Sequence, residues 1–264
     1  LPKEEIKAKI QPRIYSADKM RLEDVAPLKT PFSVHIDVCS YCNFKCSFCF
    51  QADILGKKEK NFPHGMMSEE LFKETVDQLK EFPDQIKKIK IGNHGEPTMH
   101  SKLPEFIKYA RDSGKADIIE VFTNGSKLNP ELNKRLVDSG LQRINISLEG
   151  LSEERYLKVA KTKINWKEFL ANIKDLYEYS RKTGDLVIYI KIVNNASESN
   201  GKTIFSLNDE EKNYFYETFG NIADEVYIEK IVPQWAETQL DKQNGLEYTG
   251  MYDQKTVKYK KVCP

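Results

Sequence analysis

FSVHIDVCSYCNFKCSFC, residues 32–49, runs from an alternating apolar segment straight into four cysteines, in a chain of 264 residues that has only five. The first seven residues read as a β-strand, because apolar and polar side chains alternate with a period of two. The grouped thiols that follow suit a disulfide staple, a zinc knuckle or an iron-sulfur cluster. A chain of this length buries a full core without disulfides. The cysteine total is odd, no apolar stretch is long enough to span a bilayer and no secretory leader is visible, so a cytoplasmic, reducing location is expected and the thiols read as metal ligands.

Working outward, the same alternation recurs at regular intervals. SEELFKETVDQLKEF (68–82) has a helical period with Ser68 as N-cap, and KIKIGNHGEP supplies a second strand and a turn. LPEFIKYARDSG (103–114) reads as a helix with Pro104 in its first turn and Gly114 past its end. Strands follow at 118–122, 143–148, 186–193 and 225–232. Helices are expected at 130–140, 152–160, 165–183 and 207–220. Six strands alternating with helices predict an α/β fold, a partial (β/α)6 TIM-like barrel with parallel strands. Residues 1–31 read as a polar leader, 32–232 as the barrel and 233–264 as a linker opening a C-terminal region. NNASESNGKT (194–203) reads as a polar loop, and no repeat is visible.

Charge is balanced, with 41 Lys plus Arg against 40 Asp plus Glu, so no net field would draw in nucleic acid. No membrane partner is expected either. The basic run IKKIKI (86–91) reads as a solvated strand edge.

In parallel α/β sheets ligands gather at the carboxyl ends of the strands. Strand one delivers the cysteines there, strand two GNHGEP, strand three TNG and strand four SLEG. Cys42, Cys46 and Cys49 form CxxxCxxC and offer three thiolates to one centre. A 4Fe-4S cubane held by three thiolates keeps one iron open for substrate or cofactor. Cys39, at the strand end, reads as a structural thiol. Zinc knuckles usually stand a dozen or more residues apart, whereas three residues separate Cys42 from Cys46. A zinc-binding module and a non-catalytic iron-sulfur electron carrier remain the alternatives.

The loop CNFKCSFC resembles the CxxxCxΦC signature of radical S-adenosylmethionine (radical SAM) enzymes, with Phe48 as the aromatic. HGEP, TNG and SLEG follow in the order seen in that family, over roughly residues 32–232. The resemblance implies a 4Fe-4S cluster on Cys42, Cys46 and Cys49 whose open iron chelates SAM. It further implies reductive cleavage to a 5′-deoxyadenosyl radical that takes hydrogen from a substrate, for oxidation, epimerisation or cross-linking. Gly95, Glu96 and Pro97 match the end of the family's GGEP, which meets the SAM ammonium; His94 replaces its first Gly. Ser147 and Glu149 match the fourth-strand motif near the ribose, with Glu149 where Asp is common. Asn124 reads as a cofactor contact or simply a turn residue, and Lys191 as a partner of the SAM carboxylate or a lysine at a sheet end. An external electron donor of flavodoxin or ferredoxin type is implied, with a peptide or a small molecule such as a sugar as substrate.

His35 and Asp37 share the face of Cys39 and read as a satisfied structural pair, while His64 and His100 are set aside. Trp235 reads as packing, and YFYETF (214–219) as core. Cys263-Pro264 resembles the opening of a SPASM or twitch extension, which would bind auxiliary iron-sulfur clusters beyond this chain.

Overall fold

The computed structural model describes residues 5–13, 22–46, 49, 64–194, 196–197 and 203–230. Seven strands form one sheet: β1 (Lys9–Ile10), β2 (Ser33–Ile36), β3 (Ile86–Ile91), β4 (Ala116–Thr123), β5 (Arg143–Leu148), β6 (Val187–Asn194) and β9 (Glu225–Lys230). Their order is β1-β9-β6-β5-β4-β3-β2 and every pairing is parallel. From β2 to β9 each strand lies beside the one before it in the sheet, the succession of a barrel left open between β2 and β1. All six expected strands are present.

Two features differ from the sequence expectation. Residues assigned to a leader supply β1, too short for any periodicity to betray it, beside Glu225 and Val226. Inside the expected polar loop (194–203), β7 (Ala196–Ser197) forms and pairs antiparallel with β8 (Thr203–Phe205), which starts at the loop's last residue. Helices α1 (Leu22–Val25), α2 (Glu69–Gln78), α3 (Leu103–Asp112), α4 (Pro130–Asp138), α5 (Glu153–Val159), α6 (Trp166–Thr183) and α7 (Asp209–Phe219) complete the described elements, with short turns of 3-10 helix at 79–81 and 97–99. Side-chain oxygens of Ser68, Asn129, Ser152, Asn165 and Asn208 cap α2, α4, α5, α6 and α7, each satisfying a backbone N–H that the first turn leaves without a partner. None of the described helices is long and apolar enough to cross a membrane.

The sheet has two faces of opposite character. Ile89, Ile91, Ile119, Val121, Ile144, Ile146, Ile188, Ile190 and Ile192 are buried on one side, where the helices pack, each contributing about 1.5–3 kcal/mol by leaving water. Phe72 of α2 stacks on Phe106 of α3 at 4.3 Å. Alternate residues point the other way, placing Lys88, Lys90, Glu120, Arg143, Asn145, Ser147 and Lys191 on the concave face. The IKKIKI run is therefore not an edge: β3 lies between β2 and β4, with Ile86, Ile89 and Ile91 buried. Of YFYETF, Phe215 and Phe219 are core and Tyr214 is exposed. Trp235 and the segment 231–264, with Cys263-Pro264, lie outside the described residues.

Candidate functional site

The cysteine loop leaves β2 and is fastened from three sides. Lys45 N donates to the carbonyl of Ala160 at 2.9 Å, and Thr162 Oγ1 to that of Asn43 at 3.2 Å. Asn43 Nδ2 donates to Ser126 Oγ at 2.8 Å, and Asn43 Oδ1 accepts from Asn124 Nδ2 at 3.0 Å. Asn124 Oδ1 in turn accepts from Ser126 N and Oγ. Asn124 thus does more than make a turn, although Gly125 beside it does adopt a positive φ of 73°. It ties the end of β4 to the thiol loop, and its amide nitrogen lies 4.0 Å from Cys42 Sγ.

Cys39 is buried and its thiol donates to the carbonyl of Tyr41 at 3.6 Å. Cys42, Cys46 and Cys49 gather farther along the loop, with Cys49 N donating to the Cys46 carbonyl at 2.9 Å. Burial pushes the Cys42 thiol up to about 11, helped by the charges of Glu96 and Cys49. Burial raises Cys46 further, and Glu149, Cys49 and Cys42 add to the effect. The three sulfurs therefore feel one another and two carboxylates, an arrangement that disfavours thiolates until a multiply positive centre arrives. That donor set suits an iron-sulfur cluster. Among the described residues no three His, Cys, Asp or Glu side chains lie close enough to share a single ion; cubane thiolates bind separate irons and need no such convergence. Phe48 lies outside the described residues.

The loop after β3 is locked to the thiol loop backbone to backbone. Gly95 has φ +87°, and a Cβ there would stand 2.2 Å from the carbonyl oxygen of Cys39, so only glycine permits this approach. Glu96 N donates to the Tyr41 carbonyl at 2.7 Å. The Glu96 carboxylate is 1% exposed and takes four donors: Thr98 N at 3.0 Å, Thr98 Oγ1 and Thr123 Oγ1 at 2.6 Å each, and Asn124 N at 2.7 Å. Burial raises its pKa, and these donors oppose the shift. Pro97 packs on Gly92. His94 has a definite role where the family has Gly: its Nδ1 lies 2.9 Å from Asp37 Oδ2, while Asn93 N and His94 N both donate to Asp37 Oδ1. Asp37 is thus partnered by His94, and not by His35 as the sequence suggested. His100 Nε2 meets the Met67 carbonyl at 3.0 Å and His64 stacks on Tyr41, both structural contacts.

Ser147 and Lys191 are register neighbours on β5 and β6. Lys191 Nζ donates to Glu229 Oε2 at 2.7 Å, and Tyr189 OH to Glu229 Oε1 at 3.2 Å. Glu149 is pushed up to about 7 by burial, with Lys191 pulling the other way. Cys42, Cys46, Cys49, Glu96, Asn124 and Glu149 thus interact with one another, and Lys191, beside Ser147 in the sheet, acts on Glu149, while sequence reasoning missed Asn43, Thr98, Thr123 and Glu229. Their contacts are non-local, and only the position of Asn43 inside the thiol motif hinted at its part.

The sequence model described as the radical SAM superfamily matches residues 36–199. A probable GTP 3′,8-cyclase of Methanococcus maripaludis is 36% identical over 128 residues, 48% of this chain and 39% of that protein. A 7,8-dihydro-6-hydroxymethylpterin dimethyltransferase of Methanocaldococcus jannaschii is 37% identical over 131 residues, 48% of this chain and 24% of the relative. These matches span well under half the length of the relatives. Among solved structures, SuiB of Streptococcus suis bound to the precursor peptide SuiA superposes with a TM-score of 0.60 at 16% identity, covering 84% of this chain and 44% of SuiB. That similarity concerns the fold alone, a partial TIM-like barrel. Because the family match takes in more than half of the sequence, this chain belongs to the radical SAM superfamily.

Proposed function

We propose that Cys42, Cys46 and Cys49 hold a 4Fe-4S cluster, and that the chain binds SAM at the surrounding rim to oxidise, epimerise or cross-link a small molecule or peptide. The single observation that carries this reading is the meeting of three mutually interacting thiols with the loops that bear Glu96, Asn124 and Glu149. When bound, the cluster would supply the one-electron reduction that cleaves the SAM sulfonium to methionine and a 5′-deoxyadenosyl radical able to take hydrogen from a substrate.

The chain's own residues bind and orient. Among the described residues Glu96 Oε2 accepts one donor, Asn124 N, which leaves a lone pair for the SAM ammonium, a charge-assisted contact. Its other oxygen holds Thr98 and Thr123, so the ammonium meets a carboxylate that cannot swing away. Gly95 brings the same loop onto the cysteine backbone and fixes the distance between thiols and carboxylate. The ammonium of Lys191 spends one contact on Glu229 and has further N–H groups for the SAM carboxylate. The Ser147 hydroxyl, beside it in the sheet, suits the ribose. Glu149 lies near Cys46 and adds negative charge there. An external one-electron donor of flavodoxin or ferredoxin type would reduce the centre in a cytoplasmic setting.

Iron and sulfide analysis after anaerobic reconstitution tests the ligand set. Wild-type protein should take up a full cluster complement, and Cys42→Ala, Cys46→Ala and Cys49→Ala should each fall far below it. Cys39→Ala should retain it. Normal iron in any of the first three would overturn the assignment.

A further inference from the structure

Below the rim, the concave face of the sheet carries a row of side chains in register: His35 of β2, Lys90 of β3, Glu120 of β4 and Arg143 of β5. Lys88 lies on the same face two residues earlier along β3. Glu120, 1% exposed, faces Arg143 Nε at 3.2 Å and Lys88 Nζ at 3.7 Å, and accepts from Asn145 Nδ2 at 2.8 Å. Arg143 also reaches Glu225 at 2.5 Å and lies over the Tyr189 ring. Higher on this face, Asp37 is engaged by His94, and Glu229 by Lys191 and Tyr189. Each of these carboxylates therefore has its own partners.

Two cations on this face are left over among the described residues. Among the described residues neither Lys90 nor Arg13 is in an ion pair. Arg13 follows β1, at the far edge of the sheet, yet its guanidinium lies 5.1 Å over the Phe122 ring in β4. Its charge is felt at His35, at Lys90 and at Tyr189 of β6. The side chain thus stands within the curl of the sheet, between opposite walls. Burial lowers the Lys90 ammonium below the usual lysine range; Glu120 opposes this, while Arg13 and Lys88 add to it. His35, on the same face, is lowered by burial first and by Lys90 next, and its ring carries an N–H that can donate. Like charges gathered in a partly desolvated hollow disfavour one another, and low-dielectric walls concentrate their field on an entering anion.

We propose that Lys90 and Arg13, with His35 beside them, hold an oxyanion of the substrate, a phosphate or a carboxylate. This rests on the radical SAM reading for the chemistry performed above it. Arg143 stands four residues before Ser147 on β5, so the floor lies about 13 Å below the rim at about 3.3 Å per residue. A small organic anion anchored there would present its far end to the SAM site. Among the described residues no hydrogen bond or ion pair joins the Lys90 or Arg13 side chain to the thiol loop, so the anion site can be tested apart from the cluster.

The test is calorimetric titration of the anaerobically reconstituted protein with pyrophosphate and, separately, with citrate. Iron content, and SAM cleavage under dithionite without substrate, are read on the same samples. Wild-type protein should bind at least one anion; stronger pyrophosphate binding assigns a phosphate, stronger citrate binding a carboxylate. Lys90→Gln and Arg13→Gln should each weaken binding by about tenfold or more, as expected for losing one charged partner of a desolvated pair. Lys90→Arg should restore most of it, and Lys87→Gln, on the opposite face, should change nothing. All these variants should keep their iron and their SAM cleavage. If Arg13→Gln fails to fold, the Lys90→Gln and Lys90→Arg pair decides. Failure of the wild type to bind either anion, or equal binding by Lys90→Gln, would overturn the proposal. Anion binding by a protein that assembles no cluster would instead sink the radical SAM chemistry and leave the anion site standing.

Discussion

Glu96 and Glu120 are both buried carboxylates, each 1% exposed, yet they are satisfied in opposite ways. Glu96 gathers two backbone N–H groups and two threonine hydroxyls, all neutral, from the segment after β3 and from the end of β4 and the residue that follows it. Glu120 faces two cations and an amide. Neutral donors leave the charge of Glu96 uncancelled and hold it in place, which is what a group meant to meet an ammonium requires. The cations around Glu120 cancel it, so that region exposes its remaining positive charge. One carboxylate organises a site and the other balances one.

The largest effect expected at the rim is that of Cys46→Ala, which should bring bound iron to background while circular dichroism stays unchanged, because Cys46 lies outside every described strand and helix and the change removes a single sulfur. Loss of the fold as well would mean that the thiol loop and the barrel are not separable. Glu120→Gln should be the most costly change on the floor. It leaves Lys88 and Arg143 facing a neutral amide, at about 3–5 kcal/mol, and thermal unfolding should fall by about 2–4 °C for each kcal/mol. A shift within a degree of wild type would show that the cations are already solvated. Glu96→Gln should cost less, about 1–3 kcal/mol, because an amide nitrogen replaces the acceptor of Asn124 N or of the threonines. SAM affinity should drop with it while iron content holds. Unchanged affinity would remove Glu96 from the cofactor site and leave it a loop staple.

The smallest effect is a slope. Glu149 titrates at about 7 in the folded chain against 4.5 as its ordinary value, so the folded state holds its proton more tightly. Its contribution to stability is complete below pH 4.5 and is lost as pH rises towards and through 7. In metal-free protein, Glu149→Gln should flatten the fall in stability across that window. Identical pH profiles would show that Glu149 is well solvated.

Much of the fold was legible in the sequence because each strand and helix carries its own period. Ile89 and Ile91 alternate with Lys88 and Lys90, and Ser68 stands before an acidic first turn. The order of the strand-end motifs was legible for the same reason, since a parallel sheet brings every strand's carboxyl end to one side. IKKIKI was misread as an edge because a buried strand is expected to be apolar on both faces. In a curled sheet only the helix-facing side must be apolar, and the inner face can be polar. Arg13 was out of reach altogether: nothing local says that a residue beyond a two-residue strand turns back into the barrel. The donors of Glu96 come from two segments far apart in the chain, so Thr123, at the end of β4, carries no local mark of its role.

The most direct measurement is the product of reductive cleavage. Anaerobically reconstituted protein, mixed with SAM and reduced with dithionite, should release 5′-deoxyadenosine and methionine, and Cys46→Ala should release none above the protein-free control. A fully loaded wild-type protein that leaves SAM intact under these conditions would contradict the account.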